Sequence, residues 1–282
     1  MEWLYLNHAF IKQENATLHI SDLALQRGYG AFDYLKVVGE KPVFLEAHLQ
    51  RLFYSAAQMR LPIEQTLPEL KAIIFELIER NKAGTSGIRI TLTGGYSSNG
   101  YTIAAPNLFI QQQPLKLPDM HDFQKGIRLV SYPHIRPLPH VKSINYIMGI
   151  WLQEHVKQHQ ADDVLYHWNG IISECPRANI FLVTDDNILV TPKSNILEGI
   201  TRKHILALSG SVIQNDVRDI SLETLYQCKE AFITSSTKQI LPVVSIDGRL
   251  INEGKPGSVS EKLLHILEQA QQEPASTGMA HI

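Results

Sequence analysis

Lys142 lies in a local sequence that suits covalent chemistry. It is flanked by apolar residues in VKSINYIMGI, just before a predicted helix. Burying a lysine ammonium is costly unless the charge is paired or neutralised. A lysine held neutral is a nucleophile of the kind that forms Schiff bases with carbonyl compounds. A lysine at the edge of a surface loop fits the same sequence, so the segment alone leaves both interpretations open.

A carboxylate and a guanidinium follow in GIISECPRANIFLV. Glu174 stands at the end of a predicted strand, where it either accepts a proton from a heteroaromatic nitrogen or caps a turn. Arg177 is a planar, forked donor suited to a carboxylate or a phosphate. An ion pair between Arg177 and Glu174 explains both residues equally well.

Three further segments offer donors to an anion. A predicted helix begins at Gly-Ile-Thr, so the amides of Ile200 and Thr201 lie at its positive end. Ser235 and Ser236 follow a strand and offer hydroxyls and amides to phosphate oxygens. Arg51 stands among apolar neighbours in EAHLQRL, which indicates either a buried anion partner or a snorkelling surface arginine. Ordinary helix capping explains the first of these segments as well.

The elements that must position these residues predict an α+β fold in two domains. Residues 32–38 alternate as a strand, and apolar residues recur at helical spacing over about 45–60. The polar, proline-containing stretch 111–120 has no period and is predicted as the interdomain linker. We therefore expect a smaller N-terminal α+β domain over residues 1–115 and a larger C-terminal α+β domain over residues 116–282.

Turn and capping signals add detail to both domains. A helix is predicted over about residues 144–159, directly after Lys142. Asn169-Gly170 predicts a hairpin turn. Thr66 with Glu69, and Ser258 with Glu261, each have the spacing of a capping box at the start of a helix. The tail after Glu273 is predicted to fray.

Composition excludes several classes of protein. The 282 residues have a formal net charge of −2, which gives no reason to expect nucleic-acid binding. Two cysteines are too few for a disulfide framework, and the histidines show no metal-binding spacing, so no metal site is expected. No apolar stretch approaches the roughly 20 residues that span a bilayer, and the N-terminus does not have the pattern of a signal peptide. We expect a cytoplasmic protein.

The order and spacing of these motifs closely resemble the class IV aminotransferases. The chain has His-Leu-x-Arg-Leu, then Lys-Ser-x-Asn, then a glutamate, then Gly-Ile-Thr-Arg, then a Thr-Ser-Ser strand end. The family comprises branched-chain aminotransferases, D-amino acid aminotransferases and 4-amino-4-deoxychorismate lyases. The resemblance implies the two-domain fold type IV of pyridoxal-5′-phosphate (PLP) enzymes, with the PLP site between the domains. It also implies a homodimer whose active sites lie near the subunit boundary.

The resemblance assigns a role to each motif. It implies that Lys142 forms the Schiff base with PLP and moves a proton during catalysis. Glu174 matches the carboxylate that keeps the pyridine nitrogen protonated. The resemblance implies that Leu197 packs against the ring face and that Tyr146 lies within reach of the cofactor or the substrate. It also implies a group of residues that binds the cofactor phosphate: Arg51, Ile200, Thr201, Ser235 and Ser236.

Substrate choice in this family depends on how the α-carboxylate is held. The best-known D-amino acid aminotransferases use an Arg-x-His pair in a loop that here reads GGYSSNGYT, with neither residue. Arg27, before the strand that carries the pocket residue Phe32, and Arg177 are candidates to replace the pair. Arg27 paired to Asp22 or Asp33 is the structural alternative.

The sequence therefore predicts transamination between an amino acid, in particular a D-amino acid, and a 2-oxo acid. A 4-amino-4-deoxychorismate lyase and a branched-chain aminotransferase remain open as alternatives. A PLP-binding scaffold without turnover is the non-enzymatic alternative.

Overall fold

Two units make up the computed structural model, which describes residues 1–272. The first comprises Met1–Lys116 and His140–Tyr146, and the second comprises Leu117–Pro139 and the chain from Ile147 onward. The short segment His140–Tyr146, which carries Lys142, therefore lies with the N-terminal unit, whereas the predicted boundary placed it in the C-terminal domain. The tail predicted to fray after Glu273 lies outside the described residues.

The first unit is an antiparallel sheet with helices packed on one face. Its strands are β1 (Trp3–Leu6), β2 (Ala9–Lys12), β3 (Gly30–Val38), β4 (Lys41–Pro42), β5 (Ser86–Thr93) and β6 (Leu108–Pro114). Its helices are α1 (Leu23–Arg27), α2 (Leu45–Gln58) and α3 (Leu67–Asn81). The strand order is β2-β1-β6-β5-β3-β4.

Alternation along β3 and β5 separates a core face from an open face. Leu35 and Ile90 are among the side chains that pack with α2 and α3 in the core. Phe32 lies opposite Thr91, and Tyr34 lies opposite Arg89, so these four side chains share the other face of the sheet. The open face thus carries aromatic and polar groups that the core does not use.

The linker prediction over residues 111–120 is wrong at its start. Residues 111–114 belong to β6, which pairs with both β5 and β1. Gln112 is buried, and its amide donates to the Ser86 hydroxyl at 2.8 Å. The polar composition of this run favours a linker, but a buried amide with a hydrogen-bond partner is stable inside a sheet.

Helix signals at the start of the first unit are confirmed. Helix α2 covers most of the predicted 45–60. At the start of α3, the Thr66 hydroxyl accepts from the Glu69 amide and the Glu69 carboxylate accepts from the Thr66 amide. These reciprocal bonds form the predicted capping box.

The second unit is built on a mixed sheet. Its strands are β7 (Ile127–Pro133), β8 (Asp163–Trp168), β9 (Ile171–Ile172), β10 (Glu174–Cys175), β11 (Ala178–Val183), β12 (Leu189–Thr191), β13 (Asn215–Val217), β14 (Glu230–Ser235), β15 (Gln239–Ile246) and β16 (Arg249–Leu250). The main path runs β13-β12-β11-β14-β15-β7-β8-β9, with β10 beside β11 and β16 beside β15. Most neighbours are antiparallel, while β15, β7 and β8 run parallel to one another and β12 runs parallel to β13.

Helices α4 (Met120–Lys125), α5 (Ile147–Trp151), α6 (Gln153–Gln158), α7 (Ile200–Leu208), α8 (Leu222–Tyr226) and α9 (Ser258–Gln272) complete this unit. The predicted hairpin turn between β8 and β9 is confirmed, with φ of 48° at Asn169 and 80° at Gly170. Both units combine helices with largely antiparallel sheets, as the α+β prediction requires. Within residues 1–272, no helix is long and apolar enough to cross a membrane.

The predicted helix over residues 144–159 is shorter and divided. Ile144 lies in a bend and its amide donates to the Gly30 carbonyl at 3.0 Å, so the helix begins only at Ile147. A second break at Leu152 separates α5 from α6. The first residues of the predicted helix, 144–146, are therefore not helical, because this segment bonds to β3 in the first unit.

The start of α9 is capped differently from the prediction. The amides of Val259 and Ser260 donate to the Glu230 carboxylate at 3.1–3.2 Å. A carboxylate from a distant strand thus satisfies the amides of the second and third residues of α9, whereas the Ser258–Glu261 spacing predicted a local capping box.

Replacing Glu230 by alanine is expected to lower the free energy of unfolding by about 0.5–2 kcal/mol, the usual cost of losing an N-terminal cap. Two amides of α9 would lose their acceptor. Urea unfolding measures the loss, and Glu223→Ala, at an exposed position in α8, serves as the control. Equal losses in the two variants would show that Glu230 does not cap α9.

Candidate active site

Backbone hydrogen bonds hold Lys142 against the end of β3. The Lys142 carbonyl accepts from the Phe32 amide at 2.9 Å, and its own amide donates to the Ser55 hydroxyl at 3.2 Å. Val141 beside it is fully buried. These contacts fix the lysine backbone between a strand and helix α2.

The Lys142 side chain lies over the ring of Phe32. Its Nζ is 4.6 Å from the ring centroid, and the residue is half-buried. The ring of Tyr146 meets the same phenylalanine edge-on, with the two centroids 5.8 Å apart. The structure therefore brings together three residues that the sequence assigned to the site: Phe32, Lys142 and Tyr146.

Arg89 joins this cluster, although the sequence did not single it out. Its guanidinium carbon is 4.1 Å from the centroid of the Phe32 ring. Burial lowers the pKa of Arg89, while Tyr146 and Tyr34 raise it. Within residues 1–272, no carboxylate forms an ion pair with this guanidinium. In the sequence, Arg89 is a polar residue between Ile88 and Ile90, the pattern of an ordinary solvent-facing strand position.

Arg51 has a buried anion partner, Asp33. The Arg51 Nε and Nη2 atoms donate to the two Asp33 oxygens at 2.8 Å each, and His48 Nδ1 lies 2.7 Å from Asp33 Oδ1. Burial alone would raise the pKa of the fully buried Asp33 carboxyl, but Arg51 and His48 offset this and hold it below its ordinary value. Asp33 is thus a permanent counter-charge beneath Arg51.

Arg27 forms neither of the ion pairs considered for it. Helix α1 ends at this residue, whose exposed guanidinium donates to the Gln26 carbonyl at 2.9 Å. The Asp22 carboxylate instead accepts from Thr93 and from the Asn107 amide. The structural alternative for Arg27 is therefore wrong for Asp22, and for Asp33, which Arg51 and His48 occupy.

The loop GGYSSNGYT packs beside Arg27. A Cβ added at Gly100 would lie 2.6 Å from the Gln26 Oε1 atom and 3.6 Å from Arg27 Nη2, and the φ of 69° at Gly100 favours glycine. Asn99 Oδ1 accepts from the amides of Tyr101 and Thr102, which closes the loop. This loop therefore lines the side of Arg27.

Glu174 is a buried carboxylate of the second unit. Arg136 Nε donates to Glu174 Oε1 at 2.7 Å, and the Leu197 amide donates to Oε2 at 2.9 Å. The Asn179 amide approaches Oε2 at 3.4 Å. The arginine that pairs with Glu174 is therefore Arg136, whereas the sequence considered Arg177, which is exposed in the turn between β10 and β11.

Asn179 also connects Glu174 to the start of α7. Its amide donates to the Leu197 carbonyl at 2.8 Å, so Leu197 is held at both its amide and its carbonyl. A Cβ at Gly199 would lie 2.1 Å from Asn179 Oδ1, so glycine is required at the residue before α7. Ile200 and Thr201 open the helix and both are buried, and the N-cap residue Gly199 has no side chain with which to cap the terminus.

The hydroxyl segment lies in the turn after β14. Ser235 Oγ accepts from the Lys238 amide at 3.0 Å and lies 3.3 Å from Thr237 Oγ1. Ser235 and Ser236 are both half-buried. This tight turn presents hydroxyls from neighbouring residues, as the sequence predicted.

A potential cation-binding group lies elsewhere. The ligand atoms of Asp119, His121 and Asp122 lie within 4.8 Å of one another. Asp119 and Asp122 form the capping box of α4, which accounts for both carboxylates. Sequence reasoning expected no metal site, and these groups already have a structural role.

The donors in the two units fit the chemical groups of PLP. Lys142 supplies an amine for its aldehyde, and Glu174 supplies a buried carboxylate for its ring nitrogen. In the first unit, Arg51 offers a guanidinium suited to its phosphate. In the second unit, the start of α7 and the Ser235 turn offer amides and hydroxyls suited to the same group. These are the kinds of group that a PLP-dependent enzyme needs.

Comparison with known proteins gives the family. The family described as amino-transferase class IV matches residues 30–246. The D-alanine aminotransferase of Staphylococcus haemolyticus is 26% identical over 273 residues, covering 93% of this chain and 95% of the relative.

Two solved structures share the fold. The branched-chain amino acid aminotransferase of Escherichia coli has a TM-score of 0.89 at 25% identity, covering 98% of this chain and 97% of that one. The putative 4-amino-4-deoxychorismate lyase of Legionella pneumophila has a TM-score of 0.83 at 26% identity, covering 92% and 97%. The chain belongs to the class IV aminotransferase family. It is a PLP-dependent aminotransferase of fold type IV, as the motifs predicted.

Lys142→Ala is expected to abolish transamination while leaving the fold intact, because the nucleophile is lost and its backbone contacts remain. Borohydride reduction of the wild type should link the cofactor covalently to this residue, which peptide mapping by mass spectrometry detects. An adduct on another lysine would contradict the assignment.

Glu174→Gln is expected to bind PLP but to turn over much more slowly. Glutamine can still hydrogen-bond, but it has no charge to favour a protonated ring nitrogen. Steady-state kinetics at saturating PLP measure the effect, with exposed Glu198→Gln as the control. Near-wild-type turnover would show that the carboxylate is structural.

Proposed function

We propose that this chain is a homodimeric D-amino acid aminotransferase, in which Arg89 binds the α-carboxylate of the substrate. One observation carries the proposal: the Arg89 guanidinium and Lys142 Nζ lie against the same Phe32 ring. A substrate that brings its amino-bearing carbon to Lys142 would have a forked cation within reach of its carboxylate.

The half-burial of Arg89 supports a carboxylate rather than an apolar group at this place. A guanidinium without an ion-pair partner in a partly desolvated pocket is costly beside an apolar side chain. A branched-chain substrate would need such an apolar surface. The relatives named D-alanine aminotransferases support the D-enantiomer.

In this proposal Arg89 takes the place that the sequence analysis gave to Arg177. Arg177 is exposed in a turn, where water solvates its guanidinium and binding an anion gains little. Arg27 keeps its predicted role, but as Arg27 of the partner subunit, because its exposed position suits a contact across a subunit boundary. The binding site for the substrate carboxylate then consists of Arg89 of one subunit and Arg27 of the partner subunit.

The remaining residues have distinct tasks in the reaction. PLP, when bound, supplies an electron-withdrawing ring that stabilises negative charge developing at the substrate's Cα. Glu174, kept charged by Arg136, holds a proton at the ring nitrogen. Lys142 moves the proton at Cα, and its backbone contacts with β3 and Ser55 limit where its Nζ can reach. Phe32 shields that atom from water.

The half-reaction of the PLP form with single amino donors tests the proposal. Stopped-flow absorbance should show faster conversion with D-alanine or D-glutamate than with the L-enantiomers or L-leucine. Preference for L-leucine would instead establish a branched-chain enzyme. Turnover of aminodeoxychorismate without an acceptor would establish a lyase, and no spectral change with any donor would leave a scaffold.

Arg89→Gln is expected to lower kcat/KM for D-amino acids by about 10- to 150-fold, corresponding to the loss of a charged hydrogen bond of about 1.5–3 kcal/mol. Primary amines without a carboxylate should lose much less. Arg80→Gln, on the exposed side of α3, is the matched control. A larger loss in Arg177→Gln than in Arg89→Gln would restore the original assignment.

Mixed dimers test where Arg27 acts. Arg27→Gln and Lys142→Ala homodimers should each be impaired. If Arg27 is supplied in trans, a mixed dimer of the two variants contains one complete site and regains activity. If mixing restores no activity, Arg27 does not serve the neighbouring subunit.

A further inference from the structure

Asp33 accepts an unusual concentration of donors beneath Arg51. Its Oδ1 accepts from the Tyr34 amide and Arg51 Nη2 at 2.8 Å each, and lies 2.7 Å from His48 Nδ1. Its Oδ2 accepts from Arg51 Nε at 2.8 Å. A carboxylate only accepts, so Nδ1 of His48 carries the proton in this pair. Asp33 and His48 are almost completely buried.

Asp33 has two side-chain partners that can carry positive charge, Arg51 and His48, although one would neutralise it. The bidentate Arg51 guanidinium already balances one buried carboxylate. A second titratable partner adds something that an apolar or amide side chain would not, because histidine can change its charge near neutral pH. His48 and Arg51 lie three residues apart on α2, so both project toward the same point on β3.

We propose that His48 is a positioning residue for the anion site at Arg51 and that it takes up a proton when a phosphate group binds there. The proposal rests on the family's cofactor and on the assignment of Arg51 to its phosphate. It does not depend on which amino acid the enzyme uses.

Without a bound anion, the groups around His48 favour the neutral ring. Burial lowers its pKa, Asp33 on β3 raises it, and the charges of Arg51 on α2 and Lys142 on the neighbouring segment lower it further. The net direction is downward, which leaves Nε2 without a proton at neutral pH.

A phosphate at Arg51 reverses part of this balance. It brings a charge of about −1.5 to −2 to the side of the cluster where Arg51 and Lys142 oppose protonation of His48. The imidazolium then becomes the second cation on Asp33, and Arg51 can share its own charge with the phosphate. His48 thereby keeps Asp33 neutralised while the Arg51 charge is drawn toward the ligand.

Proton uptake on binding of pyridoxamine 5′-phosphate measures this coupling directly. This ligand has an amine in place of the aldehyde and forms no Schiff base with Lys142. Isothermal titration of the cofactor-free protein at pH 7, in phosphate-free buffers of different ionisation enthalpy, gives the number of protons bound per site. The comparison is between the wild type and His48→Asn, whose amide keeps a donor at the position of Nδ1.

The wild type is expected to take up about half a proton more than His48→Asn. Protons bound by the ligand itself are the same in both proteins and cancel in the difference. Because the ligand raises the pKa of His48, the wild type should also lose affinity relative to the variant as the pH rises above 7. His8→Asn, at an exposed position of the same unit, should behave as the wild type.

Two outcomes would overturn the proposal. Equal proton uptake in the wild type and His48→Asn would make His48 purely structural. Unchanged affinity in Arg51→Lys would show that the phosphate does not bind at Arg51. If His48→Asn does not fold, 15N spectra of histidine-labelled wild type decide instead: a buried ring must pass from the neutral to the protonated pattern on ligand addition, and its failure to do so refutes the proposal.

Discussion

The arrangement of residues around Lys142 in the first unit depends on the backbone hydrogen bonds between residues 142–144 and the start of β3. The Phe32 amide donates to the Lys142 carbonyl and the Ile144 amide donates to the Gly30 carbonyl. A Cβ at Gly30 would lie 2.7 Å from the Leu92 carbonyl oxygen of β5 and 3.0 Å from the Ile144 side chain, so the close packing at the strand start requires glycine. Lys142 is thereby held by a sheet rather than by a free loop, which limits the positions its amine can take.

Because side chains alternate along β3, its two faces contact different groups of residues. Asp33 points to the helices, where it holds Arg51 and His48, while Phe32 on the other face contacts Lys142 and Arg89. A shift of one residue in register would exchange these faces. The same strand therefore fixes both the Arg51 guanidinium on α2 and the residues around the Lys142 amine.

Local signals predicted what local interactions determine. The Thr66–Glu69 capping box and the Asn169-Gly170 turn involve residues a few positions apart, and both are confirmed. Distant partners determine the cap of α9, the strand conformation of residues 111–114 and the absence of helix at residues 144–146. Glu230 lies 29 residues from Val259, so no short-range pattern can reveal that it caps α9.

The same distinction explains the site. Family motifs predicted roles for Lys142, Glu174 and the anion-binding residues because those residues stand in recognisable local sequences. Arg89 and Arg136 have no such motif. Their importance arises only when β5 places one beside Phe32, and when the chain brings the other to Glu174 across 38 residues.

The first unit gathers positive charge around a short stretch of β3. Arg51, Arg89 and Lys142 lie near this stretch, which has one buried carboxylate, Asp33, although the whole chain has a formal charge of only −2. Cations gathered at partly buried positions repel one another and oppose each other's charged forms. Asp33 offsets the charge of Arg51. In the proposed function, a carboxylate at Arg89 and a phosphate beside Arg51 and Lys142 would offset the rest. The local excess of positive charge would then attract both ligands and would cost stability in the ligand-free fold.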